Sequence, residues 1–222
     1  MKSRKSYVNF RKDNLPDLQL EKLPRSFYLR PTITVAKDLL GKYLVRKYNN
    51  QLLTGKIVEV EAYLGEKDPA SHAFRGQTKR NEVMFWEGGH LYVYFTYGMH
   101  YCCNVVTEEK GKGRAILLRA IEPVKNIEAM QNFRNIDITK NMINLTNGPA
   151  KVCQAFMLGR EENGTDLCGD KIWIGTTTRL TSHDSHLISG KDIISSPRVG
   201  ITNGSKHKWR FYIKENPWVS KK

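Results

Sequence analysis

Between Ile57 and Gly65 the chain reads IVEVEAYLG, with apolar and polar residues in alternation. Residues two apart on a strand face the same way. The pattern therefore predicts a strand with Val58, Val60, Ala62 and Leu64 on one face and Glu59, Glu61 and Tyr63 on the other. Burying the valine face would hold Glu61 rigidly beside Tyr63; the plainer expectation is a half-buried edge strand with solvated acids. Helical spacing of Val35, Leu39 and Leu40 predicts a helix over Ile33–Leu40, stopped at Gly41. Strands are predicted at Tyr43–Arg46 and Leu52–Leu64. Pro69–Asn81 is polar and turn-rich, a surface loop. His90–Val106 is dense in β-branched and aromatic residues and broken at Tyr97-Gly98, the pattern of a hairpin.

Further along, Ala115–Ala120 continues the strands and Glu122-Pro123 ends them. Ile127–Phe133 is a short helix, and Pro149 opens another whose apolar side is Val152, Phe156 and Met157. Lys171–Ile174 and Trp209–Ile213 close the sheet, while Thr176–Asp192 is polar and without clear pattern. The order of elements predicts an α+β fold: a single mixed domain with an antiparallel-rich curved sheet, surrounding helices and a protruding hairpin. The expected organisation is a basic arm over residues 1–22 and one domain over 23–222.

Charge narrows the partners. The 222 residues carry a formal net charge of +14, which points to a polyanion, since phosphate neutralisation supplies most sequence-independent affinity for nucleic acid. No apolar run approaches the roughly 20 residues that span a bilayer, so no membrane partner is expected. The basic N-terminus lacks the apolar region of a signal peptide, so the expected location is the cytoplasm, associated with the nucleoid in a bacterium. Cys102, Cys103, Cys153 and Cys168 include no Cys-x-x-Cys pair, and reduced thiols are expected rather than a zinc site. His183 and His186 could ligate a metal but lie in a Ser/Thr/Asp-rich loop, where exposed histidines are the expectation. No metal or cofactor is predicted. Arg119, set in an apolar strand, needs a buried partner: it pairs with Glu59 or Glu61, or serves a site, or both.

IVEVEAYLG, Ser71-His72-Ala73, LYVYFTYGMHYCCNV and LLRAIEP, followed by NGPAKVCQA, SPRVGI and NPWVS, together resemble the alkyladenine (3-methyladenine) DNA glycosylase family. The resemblance runs from about Leu23 to Ser220. The arm before Leu23, Asn135–Leu145 and Thr176–Gly190 fall outside it. It implies a monofunctional, monomeric glycosylase that flips alkylated, and also deaminated, purines out of double-stranded DNA and hydrolyses the N-glycosidic bond with water. By that resemblance Glu61 is the general base, with Arg119 and the backbone carbonyl of Val199 near the water. Tyr63, His72, Tyr94 and Asn104 line the base pocket, and Tyr97 wedges into the duplex. Strand parity does not choose between Glu59 and Glu61; the resemblance favours Glu61 and leaves Glu59 a structural acid.

The chemistry of these residue types agrees. A departing purine leaves an oxocarbenium-like sugar, and one carboxylate can both stabilise that charge and accept a proton from water. Aromatic walls attract cationic alkylated purines by about 0.5–2 kcal/mol per contact. Arg75, Lys79, Arg80 and Lys151 suit DNA phosphates, although Lys79 stands where the family commonly has proline, which predicts a less fixed backbone. In the hairpin, a two-residue turn would put Tyr94 and Asn104 on opposite faces. An odd-length turn or a bulge between Thr96 and Asn104 is therefore expected. The competing functions are a non-enzymatic nucleic-acid-binding module and an accessory tRNA-binding domain of the kind attached to formyltransferases. A bifunctional lyase ranks low, because no lysine falls in the pocket motifs.

Overall fold

The strand anticipated at IVEVEAYLG is the spine of a sheet of nine strands among the described residues. The computed structural model describes residues 19–139, 141–178 and 189–221. In chain order the elements are β1 (Leu20–Lys22), α1 (Arg25–Tyr28), α2 (Thr32–Asp38), β2 (Tyr43–Tyr48), β3 (Gln51–Tyr63), β4 (Leu91–Thr96), β5 (His100–Thr107), β6 (Arg114–Lys125), α3 (Ile127–Arg134), α4 (Pro149–Ala155), β7 (Ile172–Thr177), β8 (Ile193–Ser196) and β9 (Arg210–Ile213). The sheet order is β1-β7-β2-β3-β6-β5-β4, with β9 joining β3 and β8 joining β9. Every pairing is antiparallel, and the whole is an α+β domain with an open sheet.

β3 changes neighbours halfway along. Its first half pairs with β2 as far as Lys56, and Glu59–Glu61 pair with β9, while β6 runs along the other edge. It is therefore a central strand, and the expectation of an edge strand with solvated acids is wrong: Glu59 and Glu61 are both 0% exposed. Val58, Val60 and Ala62 join Ile116, Leu118, Cys103 and Val105 in the main core, packed against Val35 and Leu39 from the α2 side and Val152, Cys153 and Phe156 from the α4 side. Each Val, Leu, Ile or Phe side chain among them contributes roughly 1.5–3 kcal/mol by leaving water, so this apolar face stabilises the strand that carries the acids.

The opposite face of the sheet is covered near the hairpin by the connection between β3 and β4. Ala73, Val83, Met84 and Phe85 from that connection bury Tyr92, Val106 and Ala115 in a second, smaller core. What reads as a polar surface loop is thus anchored: Asp68, Ser71, Ala73 and Asn81 are buried. The Asn81 amide donates to the carbonyls of His72 and Gly76 at 2.8 and 3.1 Å and accepts from Thr78 N at 2.6 Å. These bonds fix the backbone around Lys79 without a proline.

Two other differences have simple causes. β6 continues through Pro123 instead of ending there, because beyond Leu117 β3 is the one strand paired with it among the described residues. Proline is tolerated on such an edge, here beside the register shift at Gly55. Leu20–Lys22, placed in the N-terminal arm by composition, pair with β7; most of the arm, together with His183 and His186, lies outside the described residues. All four cysteines are free thiols. Among the described residues no helix is long and apolar enough to cross a membrane, and no three His, Cys, Asp or Glu side chains converge as a metal site.

Candidate active site

One row of paired residues crosses five strands on the face opposite the main core. Tyr92 (β4) pairs with Asn104 (β5), Asn104 with Leu117 (β6), Leu117 with Glu61 (β3), and Glu61 with Arg210 (β9). Neighbouring strands lie about 4.7–4.9 Å apart, so Asn104 and Glu61 stand roughly 10 Å from one another with Leu117 between them.

The hairpin turn makes this row possible. Thr96 pairs with His100, leaving a three-residue loop of Tyr97, Gly98 and Met99. Tyr94 then pairs with Cys102 rather than Tyr101, and Tyr92, Tyr94, Cys102 and Asn104 share one face. The odd-length turn expected from parity is present. Tyr97 (φ 51°) and Gly98 (φ 67°) both occupy the left-handed region, an uncommon conformation for tyrosine. Tyr97 is 86% exposed, and Phe95 and Met99 beside it are exposed as well.

Arg119 shares the face of Leu117, two residues before it on β6. Val60 pairs with Leu118 and Glu59 with Ala120, so Arg119 is also the extra residue of a bulge in β6. Its Nε donates to Glu59 Oε1 at 2.9 Å, and its Nη1 lies 3.3 Å from Glu61 Oε1. Burial would lower its pKa, but the Glu61 and Glu59 carboxylates outweigh that effect and hold it above the ordinary value. Arg119 pairs with both acids, so the buried partner that the sequence requires is Glu59 and Glu61 together.

The two acids are used differently. Glu59 Oε1 accepts from Arg119 Nε, from Arg210 Nε at 2.7 Å and from Ser220 Oγ at 3.0 Å, and Oε2 accepts from Ser220 N at 2.6 Å. Arg210 also donates to the Lys221 carbonyl, so Glu59 anchors the C-terminal strap. Glu61 Oε1 accepts from the backbone N–H of Val199 at 2.7 Å, and Oε2 accepts from the Tyr63 hydroxyl at 2.9 Å. Val199 is thus joined to Glu61 through its backbone N–H. A carboxylate oxygen accommodates about two hydrogen bonds. Among the described residues Tyr63 is the one donor to Oε2, which leaves that oxygen a position for a further donor such as water.

Aromatic rings stand beside this acid. The His72 and Tyr94 rings meet edge to face, centroids 4.5 Å apart at 79°. Tyr92 and Tyr94 stack at 5.5 Å, and His72 Nδ1 lies 3.1 Å from the Tyr92 hydroxyl. Atoms crowding the imidazole disfavour its charged form, and nearby Arg80 adds to this, so the His72 pKa lies below the ordinary value. Burial pushes the Tyr92 phenol up to about 12 and raises Tyr63 and Tyr94 further, with Glu61 adding to the effect at Tyr63 and Cys102 at Tyr94. All three phenols are neutral donors at neutral pH. Asn104 is buried and donates its amide to the Tyr92 carbonyl at 3.2 Å, which fixes its orientation.

The anticipated phosphate-contact residues divide. Arg75 and Lys79 are exposed on the His72 loop, and exposed Arg80 bonds the Phe95 carbonyl at 3.1 Å, tying that loop to the hairpin. Lys151 stands apart: its Nζ donates to Asn144 and Asn147 at 2.6 and 2.7 Å. Its helix meets β5 through Cys103, on the face opposite Asn104. Sequence reasoning missed Tyr92, Asp68, Arg198, Arg210 and Ser220. Parity with Tyr94 could have found Tyr92; no local signal marks the others, which come together only through the tertiary fold.

The face thus presents a buried acid, two arginines and an aromatic wall beside an exposed hairpin. Over residues 26–217 the chain matches the family model described as methylpurine-DNA glycosylase, and it belongs to that family. A protein of Carboxydothermus hydrogenoformans is 50% identical over 200 residues, covering 90% of this chain and 99% of its own length. One of Alkaliphilus oremlandii is 43% identical over 210 residues (90% and 100%), and one of Clostridium acetobutylicum 45% identical over 208 (90% and 97%). All three are provisionally named 3-methyladenine DNA glycosylases.

Proposed function

We propose that the chain is a monofunctional glycosylase that takes 3-methyladenine and related alkylated purines, and deaminated purines, out of duplex DNA and hydrolyses their N-glycosidic bond. The observation that carries this reading is the row from Asn104 through Leu117 to Glu61. A purine laid along it has its ring edge at Asn104 and its sugar at Glu61, with His72 and Tyr94 as a wall and Tyr63 beside the acid.

The reaction needs little more. As the bond to the purine lengthens, positive charge grows on the sugar; the Glu61 carboxylate stabilises it and accepts a proton from a water held at Oε2. That water attacks the anomeric carbon, and the electron pair of the broken bond leaves with the base. Among the described residues Glu59 accepts four hydrogen bonds from Arg119, Arg210 and Ser220 while Glu61 accepts two, from Val199 and Tyr63, and this difference supports Glu61 rather than Glu59 as the base. Arg119 holds both acids in place, the Val199 backbone orients Glu61, and Tyr97 fills the space vacated in the duplex. The cations on this cluster are arginines, Arg119 and Arg210, which form no Schiff base, and this supports hydrolysis without strand cleavage. Arg75, Lys79 and Arg80 lie on the loop that carries His72 and are assigned to the DNA backbone; Lys151 would reach DNA only at a distance from the pocket. The chain acts as a monomer in this reading, and the charge of +14 draws it to any duplex.

Incubation with duplexes carrying one defined lesion each tests the proposal. The expected products are free base and an intact strand with an abasic site, and borohydride should trap no covalent complex. Tight binding to every duplex without base release would support the non-enzymatic binding module instead.

A further inference from the structure

Val199 N–H and Tyr63 hydroxyl both reach Glu61, and a single buried side chain touches the segments that carry both. Arg198, fully buried, grips Asp68 through two bonds, Nη1 to Oδ2 at 2.5 Å and Nη2 to Oδ1 at 2.7 Å. Nη1 also donates to the carbonyl of Ala62, the residue between Glu61 and Tyr63, at 2.9 Å. The guanidinium carbon lies 4.6 Å from the Tyr63 ring centre and 5.1 Å from that of Trp209, and Trp209 is stacked on His207 at 3.9 Å and 4°. Asp68 accepts from Leu64 N at 3.2 Å and Ala70 N at 3.1 Å, and its carbonyl accepts from Ser71 N at 2.8 Å. The segment from Tyr63 to His72 is thereby tied to the same guanidinium.

A buried ion pair is a poor way to gain stability, because desolvation offsets most of the attraction, but its planar two-point geometry fixes orientation. Here even the pairing is incomplete: Arg198 Nε is buried without a hydrogen-bond partner among the described residues, which costs stability. The geometry points to a role in placement. We propose that Arg198, clamped by Asp68 and set against Tyr63 and Trp209, is a positioning residue for the reaction proposed above: it fixes the Val199 N–H and the Tyr63 ring so that Glu61 keeps Oε2 turned to water. It touches neither the base nor the water. It acts through Glu61.

That dependence is measurable. Arg198→Lys keeps the charge but loses the planar fork and the stacking surface. It should slow single-turnover base release by about 10- to 100-fold, the worth of one or two hydrogen bonds to a charged group, while lesion-duplex affinity changes less than about threefold. In the Glu61→Gln background the same substitution should cost less than about threefold further, because groups acting through one residue are not additive. Equal losses in both backgrounds, a parallel fall in rate and affinity, or an unchanged rate in Arg198→Lys would each overturn the inference. If Arg198→Lys does not fold, by circular dichroism and thermal unfolding, Asp68→Asn takes its place with the same expectations. Wild-type protein runs alongside: no release by wild type removes the proposed reaction and the inference with it, whereas active wild type matched by the variant removes the inference alone.

Discussion

Tyr63 donates its phenolic hydrogen to Glu61 Oε2 at 2.9 Å, two residues along the same strand. Burial and the neighbouring carboxylate keep that phenol protonated, so it serves as a permanent donor that orients one oxygen while leaving it an open position. Tyr63→Phe keeps the ring and removes the donor. Hydrogen bonds to charged groups contribute about 1.5–3 kcal/mol, so base release should slow by about 10- to 100-fold with little change in lesion binding. A Phe variant as fast as wild type in single turnover would show that Glu61 needs no such orientation.

Glu59 is the structural counterpart. It is 0% exposed and holds Arg119, Arg210 and Ser220 together. Glu59→Gln leaves two buried guanidiniums facing a neutral amide, and breaking one partner of a buried pair costs about 3–5 kcal/mol. Denaturant unfolding should show a loss of that order, larger than that of Glu61→Gln, whose Gln can still accept from Val199. Equal stability of the two variants would contradict the division of labour between the acids.

Tyr97, at the hairpin tip, touches no part of the pocket row. Tyr97→Ala should lower the population of flipped nucleotide more than it slows the chemistry after flipping. A fluorescent base analogue next to the lesion reports the first quantity and single-turnover release the second. The same analogue signal with both proteins would rule the wedge out.

In the proposed binding mode Asn104 meets the purine edge where guanine carries a 2-amino group that adenine and hypoxanthine lack. An unsatisfied polar clash discriminates more strongly than a missing methyl contact. Asn104→Ser should therefore raise release of guanine-derived bases relative to hypoxanthine, read by chromatography of the freed bases. Unchanged ratios in an active variant would move the gate elsewhere.

The sequence is most legible where periodicity is local. Alternation in IVEVEAYLG gave the acid-bearing face, and the parity conflict between Tyr94 and Asn104 required the odd turn that the structure contains. It misjudged the burial of Glu59 and Glu61, because alternation tells which residues share a face and not what meets it; their partners Val199, Arg210 and Ser220 are distant in sequence. Arg198 and Asp68, 130 residues apart, carry no local pattern at all. The end of β6 was misplaced because proline reads as a stop unless the open edge beside Pro123 is known.

Glu61→Gln tests the central claim most directly. Wild-type protein and the variant are each held in excess over a duplex with a single 3-methyladenine-type lesion, and released base is followed over time together with binding. The account predicts that Glu61→Gln binds the lesion duplex as wild type does while its rate falls at least about 100-fold, within the 10²–10⁴ expected of general-base assistance. A rate unchanged in Glu61→Gln but abolished in Glu59→Gln would contradict it and transfer the chemistry to Glu59.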